Sequence, residues 1–216
     1  MSSGYPDWTL GAYIKSKVIV SDIERGYITV QRGEVLSLPE ALGGLVFDTF
    51  YLARNFVSRR WVPTEDIVYA DRTTSGSIYF SVPVKRDYTI LDVIAASLYF
   101  RVENLSSTSS QSGTVVDCTV KLVDEDPATG DLVTIWSISI THNATLSPSE
   151  TIYVRLTDSA PSLYPDGYTI PKGHKMRIEV LLAKLLLDVK TTLISPTQDN
   201  ASLILIPVDV SDLLPV

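Results

Sequence analysis

The sequence predicts an antiparallel β-sandwich of roughly eight strands between about Gly76 and Val210, and three observations point to it. Apolar and polar residues alternate with period two through most of that stretch. The alternating runs are separated by segments rich in Gly, Pro, Asp, Ser and Asn. No internal repeat, low-complexity tract or heptad interrupts them.

The N-terminal third reads differently. A strand over Ser16–Asp22, a Glu24-Arg25-Gly26 turn and a strand over Tyr27–Gln31 suggest a hairpin. Ser37-Leu38-Pro39-Glu40-Ala41-Leu42-Gly43-Gly44 carries an N-cap candidate, an early proline and terminating glycines, which signal a short helix. Leu45–Trp61 fits two templates at once, because Phe47, Phe50, Tyr51 and Arg54 have helical spacing while the aromatic content suits a strand. That stretch stays unassigned. The expected organisation is an arm over residues 1–70, a sandwich over 71–210 and a tail over 211–216.

Within the sandwich, Ile78, Phe80, Val82 and Val84 form the first apolar face, and Ile94, Ala96, Leu98, Phe100 and Val102 the second. Val116, Cys118, Val120 and Leu122 give a third strand, and Trp136, Ile138 and Ile140 a fourth. Beyond the Ser147-Pro148-Ser149 turn come Ile152, Val154 and Leu156, and beyond Pro171-Lys172-Gly173 come Met176, Ile178, Val180 and Leu182. Val189–Ile194 and Leu203–Val210 complete a set of about eight, the number a jelly roll needs. Asp158–Gly167, with Pro161 and Pro165, is the longest connection, the kind of place where a Greek-key crossing occurs.

Composition narrows the function classes. Of 216 residues 45% are hydrophobic and 20% charged, which excludes a disordered chain. A formal net charge of -7 argues against nucleic acid, whose binding needs a basic stripe to displace counterions. The first residues lack the charged and apolar regions of a secretory signal, and Lys184 breaks the most apolar run well short of a membrane span. The chain is therefore expected to be soluble and made in the cytoplasm. One cysteine, Cys118, permits no internal disulfide and reads as a buried small hydrophobe. With only two methionines and 12 prolines, the composition is compatible with a thermophilic host.

Two segments carry a family resemblance. Ser75–Val84, followed by a long strand ending Leu98-Tyr99-Phe100-Arg101-Val102, resembles the opening of galactose-binding-like jelly rolls. Tyr168–Val180, with Ile170-Pro171-Lys172-Gly173-His174 at its turn, is similar to a hairpin entry in the same sandwiches, and Ser202–Pro207 resembles their closing strand. Such sandwiches occur as accessory domains of hydrolases and in structural proteins of archaeal viruses and phages. The resemblance covers about residues 70–208. It implies a single jelly roll, and it makes His174 a turn residue rather than a ligand. Hydrolases with such accessory domains carry their nucleophile in a separate α/β domain, absent from this chain, so the resemblance implies a virion, capsid-vertex or tail subunit.

No catalytic or metal-binding constellation stands out. Neither His142 nor His174 has a second soft donor at ligand spacing, and no nucleophile elbow or phosphate loop is present. No cofactor is expected. Carboxylates alone, such as Asp66 with Glu65 or Asp71, leave an enzyme conceivable without supporting geometry. The acidic loop of Asp124, Glu125, Asp126 and Asp131 could present oxygens to calcium, or be an ordinary solvated hairpin. A glycan-binding face would draw on Tyr99, Tyr153, Tyr164 and Tyr168. Three sequons, at Asn104, Asn143 and Asn200, are expected in loops as possible glycosylation sites.

The expectation is a structural, non-enzymatic protein that self-assembles into a virus particle, with a carbohydrate-binding or adhesin-like module as the alternative. Its partners would be further copies and other virion proteins, with no nucleic acid and no membrane span. Phe47, Phe50, Tyr51, Arg54, Phe56, Arg59, Arg60 and Trp61 are the candidate interface, because aromatics and Arg are enriched at interface cores. The competing reading has the same aromatics close one end of the chain's own core.

Overall fold

The structure, a computed structural model, describes residues 45–209 except 92 and 185, together with a short pairing of residues 18–19 with 29–30. In chain order the strands are β1 (Val18–Ile19), β2 (Thr29–Val30), β3 (Leu45–Leu52), β4 (Val57–Ser58), β5 (Thr64–Ala70), β6 (Gly76–Pro83), β7 (Tyr88–Ile90) and β8 (Val93–Asn104). They continue with β9 (Gln111–Glu125), β10 (Leu132–Leu146), β11 (Thr151–Pro161), β12 (Tyr168–Ile170), β13 (Lys175–Leu182), β14 (Val189–Ser195) and β15 (Leu203–Asp209). Strands β1 and β2 pair antiparallel at the predicted hairpin. The predicted helix over 37–44 lies outside the described residues.

Two antiparallel sheets face each other. The smaller has the order β10-β9-β13-β6. The larger runs β12-β7-β15-β8-β14-β5, with β11 along the other side of β8 and with β3 and β4 continuing from β15. Each of the eight expected alternating runs is one of these strands. Trp136, Phe100, Leu98, Leu122, Ile178 and Val180 are fully enclosed between the sheets, and each side chain of that size stabilises by about 1.5–3 kcal/mol on burial.

The strands are longer than the alternation indicated. Asp158–Pro161, expected in the long connection, continues β11 by pairing with Ala96–Val93. The cause is pairing to an already long β8, which the period-two signal of one strand cannot show. Two bulges interrupt the alternation. Ile135 is the extra residue on β10 between the Thr134–Val123 and Trp136–Leu122 pairs, and Val115 is the extra residue on β9 between Val116–His142 and Thr114–Asn143. Each bulge turns two consecutive residues inward, so Ile135 with Trp136 and Val115 with Val116 are all fully buried. The displaced carbonyls are captured. Leu163 N–H donates to Ile135 O at 2.9 Å, and Thr191 Oγ1–H to Val115 O at 2.5 Å.

Residues 45–70, expected in the arm, contribute β3, β4 and β5 to the larger sheet, where β3 pairs with β15 and β5 with β14. Both faces of β3 are covered. Phe50 and Leu52 enter the main core, while Tyr51 joins Leu203, Leu205 and Ala201 in a second cluster packed with Phe47, Trp61 and Ala95. Two buried faces explain why no apolar–polar alternation decides between the two templates that this stretch fits.

Candidate functional site

Two buried aspartates organise one part of the sandwich, and the three-residue strands β7 and β12 connect them. Tyr88 and Tyr168 lie at opposite ends of this ribbon, since Tyr88 pairs with Ile170 and Tyr168 with Ile90. Tyr168 Oη donates to Asp124 Oδ2 at 2.9 Å. Tyr88 Oη donates to Asp48 Oδ2 at 3.0 Å. Asp124 belongs to the smaller sheet and Asp48 to the larger, so the ribbon pins both sheets through buried charge.

Each aspartate has a second partner. His174 Nδ1 lies 2.9 Å from Asp124 Oδ1, with Asp124 buried and His174 about a quarter exposed. Arg59 grips Asp48 with both arms of its fork, Nε to Oδ1 at 2.7 Å and Nη2 to Oδ2 at 2.5 Å. That hydrogen bond is the main cause holding the Arg59 guanidinium above its ordinary pKa. Burial, followed by the Asp124 carboxylate, pushes the Tyr168 phenol upward. A cleft of about 320 Å³ beside Arg59 is lined by Phe50, Val82, Lys85, Arg86, Tyr88 and Met176.

The acidic loop is dispersed by these contacts. Asp124 faces His174 and Tyr168, Glu125 faces Lys175 at 3.2 Å and Arg177 at 3.6 Å, and Asp126 and Asp131 accept from Thr129. Asp126 also accepts from Ala128 N–H, the largest cause lowering its pKa. No group of three or more His, Cys, Asp or Glu among the described residues could hold a metal ion. Cys118 is fully buried, and burial raises its thiol to about 12.

The expected interface residues separate by exposure. Phe50 and Tyr51 are buried, Phe47 and Trp61 are half-buried, and Trp61 Nε1–H donates to Ser195 O at 3.2 Å. Phe56, Arg54 and Arg60 are exposed, and Arg59 is exposed while anchored to Asp48. The four tyrosines form two pairs, Tyr99 with Tyr153 at 6.1 Å between ring centres and Tyr164 with Tyr168 at 4.7 Å.

Two sequons are not in loops. Asn104 ends β8 and is buried, its Nδ2 donating to Ser109 O and Ser147 O at 2.9 and 2.8 Å. Asn143 is exposed but lies within β10, where its Oδ1 accepts from Thr114. Asn200 is half-buried in the loop before β15.

The feature that sequence reasoning missed is the free side of β10. This strand ends the smaller sheet and pairs with β9 alone among the described residues. Ala183 N–H donates to Asp117 O at 2.9 Å, so Asp117 turns its main-chain groups toward β13. Its partner Thr141 then turns its own N–H and C=O away from β9, to the open edge. By the same parity Ser137, Ser139, Asn143 and Thr145 also point outward, and all five have exposed side chains. The strand reads LVTIWSISITHNATL, with no Asp, Glu, Lys, Arg or Pro. The signal was present in the sequence as a long uncharged strand, but only the topology shows that it is an edge.

No protein-family model matches the chain. No curated protein matches it either. Solved structures do. A CocE/NonD family hydrolase from Staphylococcus aureus superposes with a TM-score of 0.52 at 11% identity, covering 85% of this chain and 39% of that one. An aminopeptidase from a marine sediment Thaumarchaeota archaeon gives 0.52 at 10%, covering 75% of this chain and 36% of that one. A mutant VP2 protein of infectious bursal disease virus gives 0.33 at 12%, covering 93% and 41%, a likeness too low to carry an argument. The expectation of a non-enzyme is corrected here, because the neighbours above 0.5 are a hydrolase and an aminopeptidase. The chain spans less than two fifths of the length of each of those two, and at such identities the likeness shows a shared β-sandwich fold alone.

Proposed function

We propose that the chain is a structural subunit that self-assembles, as the building block of a virus particle. The observation that supports self-assembly is the edge of β10, open among the described residues. Sheet edges in free-standing proteins are guarded by charge, proline or short length, because outward N–H and C=O groups recruit other strands. Here 15 residues carry no charged residue and no proline. Sedimentation velocity and negative-stain imaging of the purified full chain test the reading. Discrete oligomers or particles are expected, and a monomer at tens of micromolar would sink it.

A second reading is favoured by the hydrolase and aminopeptidase neighbours, in which a sandwich like this one is part of a longer chain. The chain would then serve as one portion of a hydrolase. His174, oriented through Nδ1 by the buried Asp124, is the residue to change in that case. Turnover of ester or aminoacyl-anilide substrates that disappears in His174→Ala would support this reading over the structural one.

A further inference from the structure

We propose that the partner at the β10 edge is the same edge of a second copy, paired antiparallel about a two-fold axis through Thr141. This rests on the self-assembly reading and names its interface.

Two independent constraints select that register. Side chains must keep their faces, so outward residues have to meet outward residues. Main-chain groups must also meet, so residues whose N–H and C=O point to the edge have to oppose one another. In β10 both properties fall on the same residues, Ser137, Ser139, Thr141, Asn143 and Thr145. Pairing about Thr141 places Thr141 against itself, Ser139 against Asn143 and Ser137 against Thr145. Every opposed pair exchanges two N–H···O bonds, about ten in all. Inward residues also meet inward residues, with Ile138 opposite Ala144 and Ile140 opposite the half-buried His142.

A second copy fits this edge on grounds of charge. Each chain carries a formal net charge of -7, so the general repulsion between copies is least where the facing strands carry no acids. The β10 strand itself carries no acid, Asp117 on β9 being the nearest one on that face, and its outward hydroxyl and amide side chains form favourable cross-strand pairs. They already do so against β9, where Ser139 and Thr119 hydroxyls lie 3.1 Å apart and Thr145 and Ser112 2.9 Å apart. The neighbouring long edge, β11, carries Arg155, Asp158 and Pro161, which guard it against the same pairing. The register stops at Ser137 because Leu163 already occupies the carbonyl of Ile135. An isologous contact of this kind closes on itself and joins two four-stranded sheets into one of eight.

The test is sedimentation equilibrium on the full chain and two edge variants. Thr141→Pro removes one outward N–H that none of the described residues accepts, so the fold is expected to survive. Ser139→Lys with Asn143→Lys adds like charges at the axis without touching the main chain, and covers the case in which the proline variant fails to fold. The wild type is expected to dimerise, with at least tenfold weaker association in either variant and unchanged circular dichroism. Thr141→Cys is expected to be joined to its symmetry mate by a short bis-thiol-reactive cross-linker, the buried Cys118 taking no part. A wild type that assembles, with both variants and the cysteine behaving like it, overturns the edge pairing and leaves self-assembly standing. A wild type that stays monomeric overturns both, and leaves the edge to a strand of a different protein.

Discussion

Tyr168 donates its phenolic hydrogen to Asp124 at 2.9 Å, and His174 approaches the other oxygen of the same carboxylate at the same distance. The three residues come from β12, β9 and the turn before β13, so the contact joins a short ribbon to the smaller sheet. Asp124 is buried, and a buried carboxylate needs donors on both oxygens to remain charged without large penalty.

Tyr168→Phe is expected to lower stability by about 1–2 kcal/mol, because it leaves one oxygen of Asp124 buried without its donor. Chemical denaturation at neutral pH measures it. The alkaline limb gives a second readout. Burial and the adjacent carboxylate raise the folded Tyr168 pKa above its unfolded value. Its stabilisation is therefore complete below about pH 10 and is lost as pH rises past the unfolded pKa. Tyr168→Phe should flatten the decline of stability above pH 10, and an unchanged slope would contradict this account.

Gly76→Ala is expected to destabilise by about 2–3 kcal/mol or more. A Cβ at Gly76 would lie 2.0 Å from the carbonyl oxygen of Tyr69, which is main chain and cannot swing aside. This is where β5, the edge of the larger sheet, approaches β6, the edge of the smaller one. Thermal unfolding of the variant checks it, with Gly130→Ala as a control where nothing lies within 4 Å and only the positive φ of 81° adds strain.

Thr192→Val is expected to leave stability unchanged or raise it by up to about 1 kcal/mol. The Thr192 hydroxyl is buried with no hydrogen-bond partner among the described residues, and Val keeps its shape without the unpaired polar atom. A loss beyond 1 kcal/mol by denaturant titration would show that the hydroxyl is in fact used.

How far the sequence disclosed the fold follows from which strands bury one face. The outer residues of β6 and β13, Tyr79 and Glu179 for example, contrast with inward Phe80 and Ile178, so alternation finds these strands directly. In β3 and β15 both faces are covered, Phe50 and Ile204 on one side and Tyr51 and Leu203 on the other, and the contrast vanishes. The two-residue and three-residue strands carry too few positions to show any period. The polar clusters were hidden for another reason. Asp124 stands among neighbouring acids in the sequence, yet it faces inward while Asp126 caps its own turn, and only the register of β9 with β13 separates them. The open edge of β10 is a property of strand order, which no local pattern contains.

Asn104→Ala is expected to cost about 2–3 kcal/mol, more than a typical surface substitution. The side chain closes the end of β8 by donating to the carbonyls of Ser109 and Ser147 and accepting from Ser106 N–H at 3.0 Å. Truncation removes all three of these part-buried hydrogen bonds at once, each contributing about 1 kcal/mol. Asn104→Asp discriminates between shape and hydrogen bonding, because it keeps the acceptor for Ser106 and sets a carboxylate against two carbonyls. It should destabilise at least as much as Ala at pH 7 and less at low pH, where the protonated acid can donate again. The same enclosure bears on the three sequons. If the chain is expressed in a glycosylating host, Asn143, exposed on β10, should accept glycan in preference to Asn104, as read by mass spectrometry of the peptides. Full occupancy at Asn104 with native stability would overturn the structural role assigned to its amide.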